Sequence, residues 1–160
     1  FFILAYTQKT RVLKEFTIAF IFIYLIAYPF YVFFPVEVTG YTLENVEPLL
    51  YNLSPIVSHG IKMSDPDLDN CFPSLHAALS IMAMLTVLRT EFIRYKMFVL
   101  GITAAILFTT LYLGIHWVID LIAGLILAVT VYFITTRFLH IFKRPDKFKS
   151  RINQEKHENN

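Results

Sequence analysis

Four long stretches that are almost free of charge dominate this sequence. They cover residues 16–34, 72–88, 97–114 and 117–136. A helix crosses a hydrocarbon core about 30 Å thick with roughly 20 residues, at about 1.5 Å per residue. Stretches of this length form helices in a membrane because a helix satisfies its own backbone hydrogen bonds. The pattern predicts an all-α, polytopic membrane helix bundle with four transmembrane helices.

The composition supports the membrane class and limits the alternatives. Hydrophobic residues make up 56% of the chain and charged residues 16%, whereas soluble domains average about 45–50% and about 25%. The chain opens with an apolar run at residues 1–6 before a basic stretch, which predicts the end of a preceding helix. Cys71 is the single cysteine, so an intrachain disulfide is excluded. We expect no nucleic-acid partner, and the sequence leaves the oligomeric state open.

The lysines and arginines are distributed unequally between the two sides of these stretches. Short cytoplasmic loops are enriched in basic residues. If the four stretches alternate in direction, one side collects Lys9, Arg11, Lys14, Arg89, Arg94, Lys96, Arg137, Lys143, Arg144, Lys147, Lys149 and Arg151. The other side holds residues 35–71, where six acidic residues stand against Lys62 alone. We therefore expect residues 35–71 to be extracytoplasmic and the protein to lie in the cell membrane.

Two regions outside the apolar stretches, residues 43–53 and 146–160, differ in their pattern of apolar residues. Apolar residues recur at helical spacing over residues 43–53, which predicts a short helix on the membrane surface. An irregular loop is the alternative, because Pro48 and Pro55 interrupt this region. Residues 146–160 are polar, which predicts a disordered cytoplasmic tail. One membrane-embedded domain, residues 1–145, then precedes that tail.

A proline, a serine and a histidine stand together at the start of the second stretch. Pro73 suits the beginning of a helix, and the Ser74 hydroxyl can cap it by accepting a hydrogen bond from a free backbone N–H. The free amides and the positive dipole end of such a helix favour a phosphate. His76 can hold or lose a proton near neutral pH. The alternative is a capped helix whose histidine only lies in the headgroup region.

His116 and Asp120 stand four residues apart around the start of the fourth stretch. Since positions i and i+4 share a helix face, Asp120 can accept a hydrogen bond from one ring nitrogen and leave the other free as a nucleophile. A carboxylate within a membrane is costly, which favours a functional role over a structural hydrogen bond between helices. His76 starts a stretch on the same side and can reach the same pocket. These three residues could also hold a metal, although no HExxH run or cysteine pair supports that interpretation.

These residues resemble two motifs of the type 2 phosphatidic acid phosphatase superfamily. Residues 73–76 are similar to its PSxH motif, and His116 with Asp120 is similar to its HxxxD motif. Residues 69–77, DNCFPSLHA, resemble the signature of its inositol phosphorylceramide synthase-like branch. The resemblance covers roughly residues 16–136.

The resemblance implies a role for each residue of the two motifs. His116 would form a phosphohistidine, and Asp120 would orient its ring. His76 would protonate the leaving alcohol, and Ser74 would hold a phosphoryl oxygen. Neither a metal nor another cofactor is implied.

The sequence departs from the phosphatase pattern in its cations. Where that pattern has serine and arginine six to seven residues before the nucleophilic histidine, this chain has Thr109 and Thr110. The earlier lysine, arginine and proline motif is also absent near Pro35. Thr110 and Lys62 are the candidate replacements for phosphate contacts, with a solvated loop lysine as the alternative for Lys62. The expected pocket walls are aromatic: Phe72, Tyr112 and Trp117.

The missing cations favour a headgroup phosphotransferase, as in the branch that contains inositol phosphorylceramide and sphingomyelin synthases. The substrate would be a membrane lipid phosphate, and an alcohol or polyol would accept the transferred group. A lipid phosphate phosphatase acting on phosphatidic acid or a polyprenyl phosphate is one alternative. A noncatalytic membrane scaffold is another. In each enzyme interpretation the active site lies at the extracytoplasmic face.

Overall fold

The computed structural model describes residues 10–43, 49 and 54–142, and these residues form helices joined by turns and irregular segments. The helices are α1 Thr10–Phe33, α2 Thr39–Thr42, α3 Pro55–Ser64, α4 Leu75–Val87, α5 Ile93–Tyr112 and α6 Val118–Phe142. Within α1, α5 and α6, residues Arg11–Phe33, Ile93–Tyr112 and Val118–Arg137 are long and apolar enough to cross a membrane. The prediction of an all-α membrane helix bundle is confirmed.

The helix in the second predicted span is shorter than expected. α4 has 13 residues and a length of about 20 Å, against about 30 Å for the hydrocarbon core. It begins only at Leu75, because Ser74 has an extended backbone and caps the helix by accepting a hydrogen bond of 3.2 Å from the Ala77 N–H. The expected helical span over residues 72–88 is corrected to this shorter helix.

α4 lies among the three long helices and packs closely against them. The apolar core between α1, α4 and α6 is built largely from small and branched side chains: Ala19, Ile23, Ala27, Ala78, Met82, Leu127 and Val131. Small residues let helix backbones approach each other, which is how membrane helices gain packing contacts. At Gly124 of α6 the approach leaves no room for a side chain, because a Cβ there would lie 2.5 Å from the Ser74 carbonyl oxygen.

Polar contacts fix α4 at both of its ends. At the end that we call the basic end, the buried Glu15 of α1 pairs with Arg11 at 2.9 Å and with Arg89. At the opposite end, which we call the histidine end, the Tyr31 hydroxyl donates a 2.8 Å hydrogen bond to the Pro73 carbonyl. The position of α4 relative to α1 is therefore set from two sides.

One hydrogen bond sets the register of α4 against α5. The Thr103 hydroxyl donates to the Ser80 carbonyl over 3.2 Å. His76 lies one turn beyond Ser80 toward the histidine end, whereas Tyr112 lies nine residues beyond Thr103 in the same direction. At about 1.5 Å per residue, α5 extends about 8 Å past His76 along the helix axis. His76 is thus recessed below the end of the bundle.

The described parts of the segment between α1 and α4 fold over the histidine end. The Val36 N–H donates to the Asp69 carbonyl at 2.7 Å, and the Cys71 N–H donates to the Val36 carbonyl at 3.3 Å. The surface helix expected over residues 43–53 lies almost wholly outside the described residues. The preceding helix expected at residues 1–6 and the polar tail at 146–160 also lie outside them.

Candidate active site

Two histidines that are forty positions apart meet at the histidine end. His76 lies in the first turn of α4, and His116 lies in the connection that leads from α5 into α6. His76 Nδ1 is 3.0 Å from His116 Nε2, a hydrogen bond in which the donor depends on the ring tautomers. The two rings meet edge to face at 64°. The structure therefore brings together the two histidines that the sequence singled out.

Asp120 stands behind His116, on the side away from His76. Its carboxylate is fully buried, and Oδ2 lies 3.6 Å from His116 Nδ1, slightly beyond hydrogen-bond length. The same Oδ2 accepts a 2.8 Å hydrogen bond from the Trp117 N–H. A carboxylate in this position favours a proton on Nδ1. His116 Nε2 then keeps its lone pair and faces His76.

Ser74, Thr110 and Lys62, the residues predicted to bind phosphate, differ from one another in burial and in hydrogen bonding. Ser74 is fully buried, and its oxygen caps α4. Thr110 is buried, its hydroxyl donates to the Leu107 carbonyl at 3.0 Å, and its own carbonyl accepts from the His116 N–H at 3.3 Å. Lys62 is exposed on α3. Ser74 therefore holds the start of α4 beside His76, and Thr110 holds the backbone of His116. Contact of Ser74, Thr110 or Lys62 with phosphate stays a prediction.

A cavity of about 740 Å³ opens beside the two histidines. Three tyrosines of α1 line it at helical spacing, and Asp65 and Asn70 of the segment before α4 are also lining residues. Its described lining residues are Tyr24, Tyr28, Tyr31, Val32, Val38, Ile61, Asp65, Asn70, Cys71, Leu75, His76, Ile115 and His116. None of the three tyrosines was predicted as a site residue, although their spacing along one face of an apolar helix is a usable sequence signal.

The aromatic wall predicted from Phe72, Tyr112 and Trp117 is wrong, because none of the three lines this cavity. Tyr112 lies 64% exposed on the outside of α5, stacked on Phe108 with ring centroids 5.8 Å apart. The Trp117 indole N–H donates a 3.0 Å hydrogen bond to the Glu37 carbonyl. Trp117 therefore ties the turn before α6 to the segment that follows α1.

The described lining residues of the cavity include one carboxylate, that of Asp65, and no lysine or arginine. The Asp65 carboxylate accepts hydrogen bonds from both the Asn70 side chain, at 2.8 Å, and the Asn70 backbone N–H, at 3.3 Å. Burial raises the pKa of the Cys71 thiol to about 12, and the carboxylates of Asp120, Asp65 and Asp69 act in the same direction. Cys71 is therefore a neutral thiol at neutral pH, and it donates to the Ile115 carbonyl over 3.3 Å.

Among the residues that the structure describes, one group of side chains has donor atoms close enough to be considered as metal ligands. The donor atoms of Cys71, His116 and Asp120 lie within 4.8 Å of one another. This set differs from the predicted one, in which His76 took the place of Cys71. A metal at this set would bind the thiolate form of Cys71, so its binding would release the thiol proton.

Comparison with protein families shows which family this chain matches. The family model described as the PAP2 superfamily matches residues 1–134, a range that contains His76, His116 and Asp120. Comparisons with curated proteins and with solved structures found no significant match. Members of the matching superfamily are generally phosphatases or phosphotransferases, which supports a lipid phosphatase or phosphotransferase type of function. The matched range covers most of the chain, and the chain belongs to the PAP2 superfamily.

Proposed function

We propose that this protein transfers a phospho-headgroup from a membrane lipid to an alcohol through a phosphohistidine on His116. The observation that carries the proposal is the 3.0 Å contact between His76 and His116 beside the cavity, with Asp120 behind the second ring. An acid, a nucleophile and an orienting carboxylate are the groups that such a displacement needs.

The proposed reaction has two displacements at phosphorus. His116 Nε2 attacks, the bond from phosphorus to the lipid oxygen breaks, and His76 gives a proton to that departing oxygen. Asp120 stabilises the positive charge that develops on the His116 ring. An acceptor hydroxyl then loses its proton to His76 and attacks phosphorus, and the bond to His116 breaks. Both histidines return to their starting protonation states.

Substrate binding must separate the two rings. A phosphorus atom with its attacking and departing atoms does not fit between nitrogens 3.0 Å apart. His76 is the more exposed of the two histidines, whereas His116 is buried. His76 is therefore the ring that turns away, and the resting hydrogen bond keeps the attacking nitrogen of His116 directed toward the cavity.

The charge of the cavity favours transfer over hydrolysis. A phosphate monoester carries up to two negative charges and is bound best by arginine, but none of the described lining residues is a lysine or an arginine. A phosphodiester carries one negative charge and costs less to bring into such a site. The apolar and tyrosine walls also limit how much water surrounds the phosphoryl group. These features support a phosphodiester substrate and an alcohol acceptor.

Product analysis tests this proposal. Purified protein in lipid bilayers is given phosphatidic acid or a phosphodiester lipid, each with and without an alcohol or polyol acceptor. We expect the phosphodiester to yield transfer product that rises with the acceptor at the expense of hydrolysis. Rapid phosphate release from phosphatidic acid, unchanged by any acceptor, would contradict transfer and support a lipid phosphate phosphatase.

A second measurement separates the histidine mechanism from a metal mechanism and from a scaffold. We expect chelators to leave the activity intact, and we expect vanadate, which resembles pentavalent phosphorus, to inhibit. Loss of activity with a chelator and its recovery with zinc would instead support metal catalysis. If rapid quenching with phosphorus-labelled lipids of both types leaves no label on the wild-type protein, the phosphohistidine is contradicted; if product is absent as well, the scaffold alternative is supported.

A further inference from the structure

We propose that Cys71, His116 and Asp120 bind a thiophilic divalent cation such as zinc, and that the bound cation inhibits the reaction. One ligand atom from each of the three side chains lies within 4.8 Å of the other two, and all three residues are buried. Cys71 precedes α4, His116 precedes α6, and Asp120 lies in the first turn of α6. The metal site goes beyond the function proposed above, and only its inhibitory effect rests on that function.

Two buried polar atoms of this group have no hydrogen-bond partner among the residues that the structure describes. They are Nδ1 of His116 and Oδ1 of Asp120, in side chains that are 4% and 0% exposed. A buried polar atom without a partner is costly, and a bound ion is one way to satisfy it. His116 Nε2 is engaged with His76. Nδ1 is therefore the His116 nitrogen that is left for a metal.

The distances within the group fit a tetrahedral metal site. Zinc binds cysteine sulfur at about 2.3 Å and histidine nitrogen or carboxylate oxygen at about 2.0–2.2 Å, so its ligands stand about 3.3–3.6 Å from one another. His116 Nδ1 and Asp120 Oδ2 are already 3.6 Å apart, which is too far for a good hydrogen bond. No pair in the group exceeds 4.8 Å, so side-chain shifts of about 1 Å bring all three ligands to these distances.

The charges and the surroundings of the group also suit a divalent cation. Zinc with one thiolate, one carboxylate and one neutral imidazole forms a complex without net charge, which costs less to bury than a charged one. Binding releases one proton from the Cys71 thiol to water. Cys71 and His116 line the cavity, which gives the ion a path of entry and a water molecule as its fourth ligand. The Trp117 N–H donates to Asp120 Oδ2 at 2.8 Å and so holds the carboxylate in place.

A cation on Nδ1 of His116 disables the nucleophile of the proposed reaction. Without metal, the Asp120 carboxylate favours the ring proton on Nδ1, and Nε2 keeps the lone pair that attacks phosphorus. A metal takes the lone pair of Nδ1, so the ring proton moves to Nε2, which then donates to His76 over 3.0 Å. The ring keeps one proton, but the attacking nitrogen no longer has a free lone pair. Zinc should therefore lower kcat and leave KM nearly unchanged.

Cobalt spectroscopy tests the site independently of activity. Co²⁺ accepts the same tetrahedral ligands as zinc, and a cobalt–thiolate bond gives a charge-transfer band in the near ultraviolet. Because the chain has one cysteine, such a band in the purified protein reports on Cys71 alone. We expect the band in the wild type and its loss when zinc is added. Cys71→Ser should lack it, and His116→Ala and Asp120→Asn should need at least about tenfold more cobalt. His59→Ala, which removes an exposed histidine of α3, is the control and should match the wild type.

Product formation tests the inhibition, with the rate of each protein taken relative to its own rate without metal. Zinc should inhibit the wild type through kcat, whereas magnesium, which prefers oxygen ligands, should not. Cys71→Ser should need at least about tenfold more zinc for half-inhibition. Equal zinc sensitivity of the wild type and folded Cys71→Ser would overturn inhibition through this site.

The wild-type spectrum decides whether the site exists even if a variant does not fold. Absence of the cobalt–thiolate band in the wild type would overturn the proposal, and so would a band that folded His116→Ala and Asp120→Asn form at the same cobalt concentration as the wild type. Failure of the proposed function gives a different result. The metal-free protein would then turn over no lipid, while the cobalt band would still appear.

Discussion

The α-carbon of Gly124 faces the carbonyl oxygen of Ser74 so closely that a methyl group on it would lie 2.5 Å from that oxygen. The same methyl carbon would lie 2.9 Å from the Cβ atom of Ala77. Nearby, the Ser74 N–H donates to the Asp120 carbonyl over 3.1 Å. The contact between α6 and the start of α4 thus sets the distance between Asp120 and His76.

We expect Gly124→Ala to lower both activity and stability, because backbone and a short side chain cannot move aside as a flexible chain end could. Overpacking of this kind costs about 1–3 kcal/mol. The measurements are thermal unfolding in detergent and the rate of product formation. Gly101→Ala in α5 is the matched control, since a Cβ there meets nothing within 4 Å. Equal effects of the two substitutions would contradict this account of the helix contact.

Replacing His116 and replacing His76 should impair the reaction in different ways. His116→Ala should abolish the covalent intermediate with every substrate. His76→Ala should slow formation of the intermediate with an ordinary lipid but recover with an acidic leaving group such as a nitrophenol, which needs no protonation. Single-turnover labelling measures both. Wild-type activity in His116→Ala would rule out the nucleophile assignment, and equal slowing of both leaving groups in His76→Ala would rule out the acid.

Asp120→Asn should keep the fold and lose most of the rate. The Asn oxygen can still accept from the Trp117 N–H, which now donates to Oδ2. Because Oδ2 is also the carboxylate atom nearest to His116 Nδ1, a neutral amide oxygen in its place supplies no negative charge to stabilise the positive charge that develops on the ring. We expect a loss on the order of a hundredfold or more in the rate of phosphohistidine formation. A loss below about twofold, with unchanged thermal unfolding, would contradict the orienting role.

The thiol of Cys71 should make stability fall in alkaline solution. Its pKa is raised from an ordinary value of 9.0 to about 12 in the folded protein, so the folded state holds this proton more tightly than the unfolded state. The resulting stabilisation is complete below about pH 9 and is lost as the pH rises toward 12. Thermal unfolding at pH 8 and pH 10 should show a smaller decrease for Cys71→Ser than for the wild type. Identical decreases would contradict the assignment.

The distribution of basic residues predicts which face of the membrane carries the site. In a Cys71→Ser background, Asp67→Cys should react with an impermeant thiol reagent only from the extracytoplasmic side. Glu91→Cys, next to the basic end, should react only from the cytoplasmic side. Both positions are exposed in the structure. The reverse pattern would place the histidines at the cytoplasmic face.

The meeting of His76 with His116 could be predicted from sequence because both residues stand at the start of an apolar stretch. Because successive stretches alternate in direction, the second and the fourth both start at the same end of the bundle. Asp120 was expected beside His116 from helical spacing, but His116 lies in the connection before α6, so the two residues do not share one helix. The length of α4 could not be read in the same way. An apolar run does not show at which residue the helix begins. Here Ser74 is the N-cap, so the helix begins at Leu75, three residues into the predicted span.

The part of the cavity wall that belongs to the segment before α4 could not be predicted from the sequence, for a different reason. Asp65, Asn70 and Cys71 are placed by backbone hydrogen bonds between distant parts of the chain, such as the bond from Val36 to Asp69. No periodicity marks such contacts before the chain has folded. Lys62 was selected as a lone cation in its segment, but charge alone does not tell which way a helix turns its side chains.

The shortness of α4 makes the thickness of the host membrane a condition of the reaction. In a bilayer whose hydrocarbon core ends level with the end of α5, His76 lies about 8 Å below that boundary, the distance by which α5 extends past it. Lipids with longer acyl chains thicken the bilayer and move the headgroup layer further from both histidines, whereas shorter chains bring it nearer. Turnover should therefore vary with acyl-chain length even among bilayers that present one and the same headgroup.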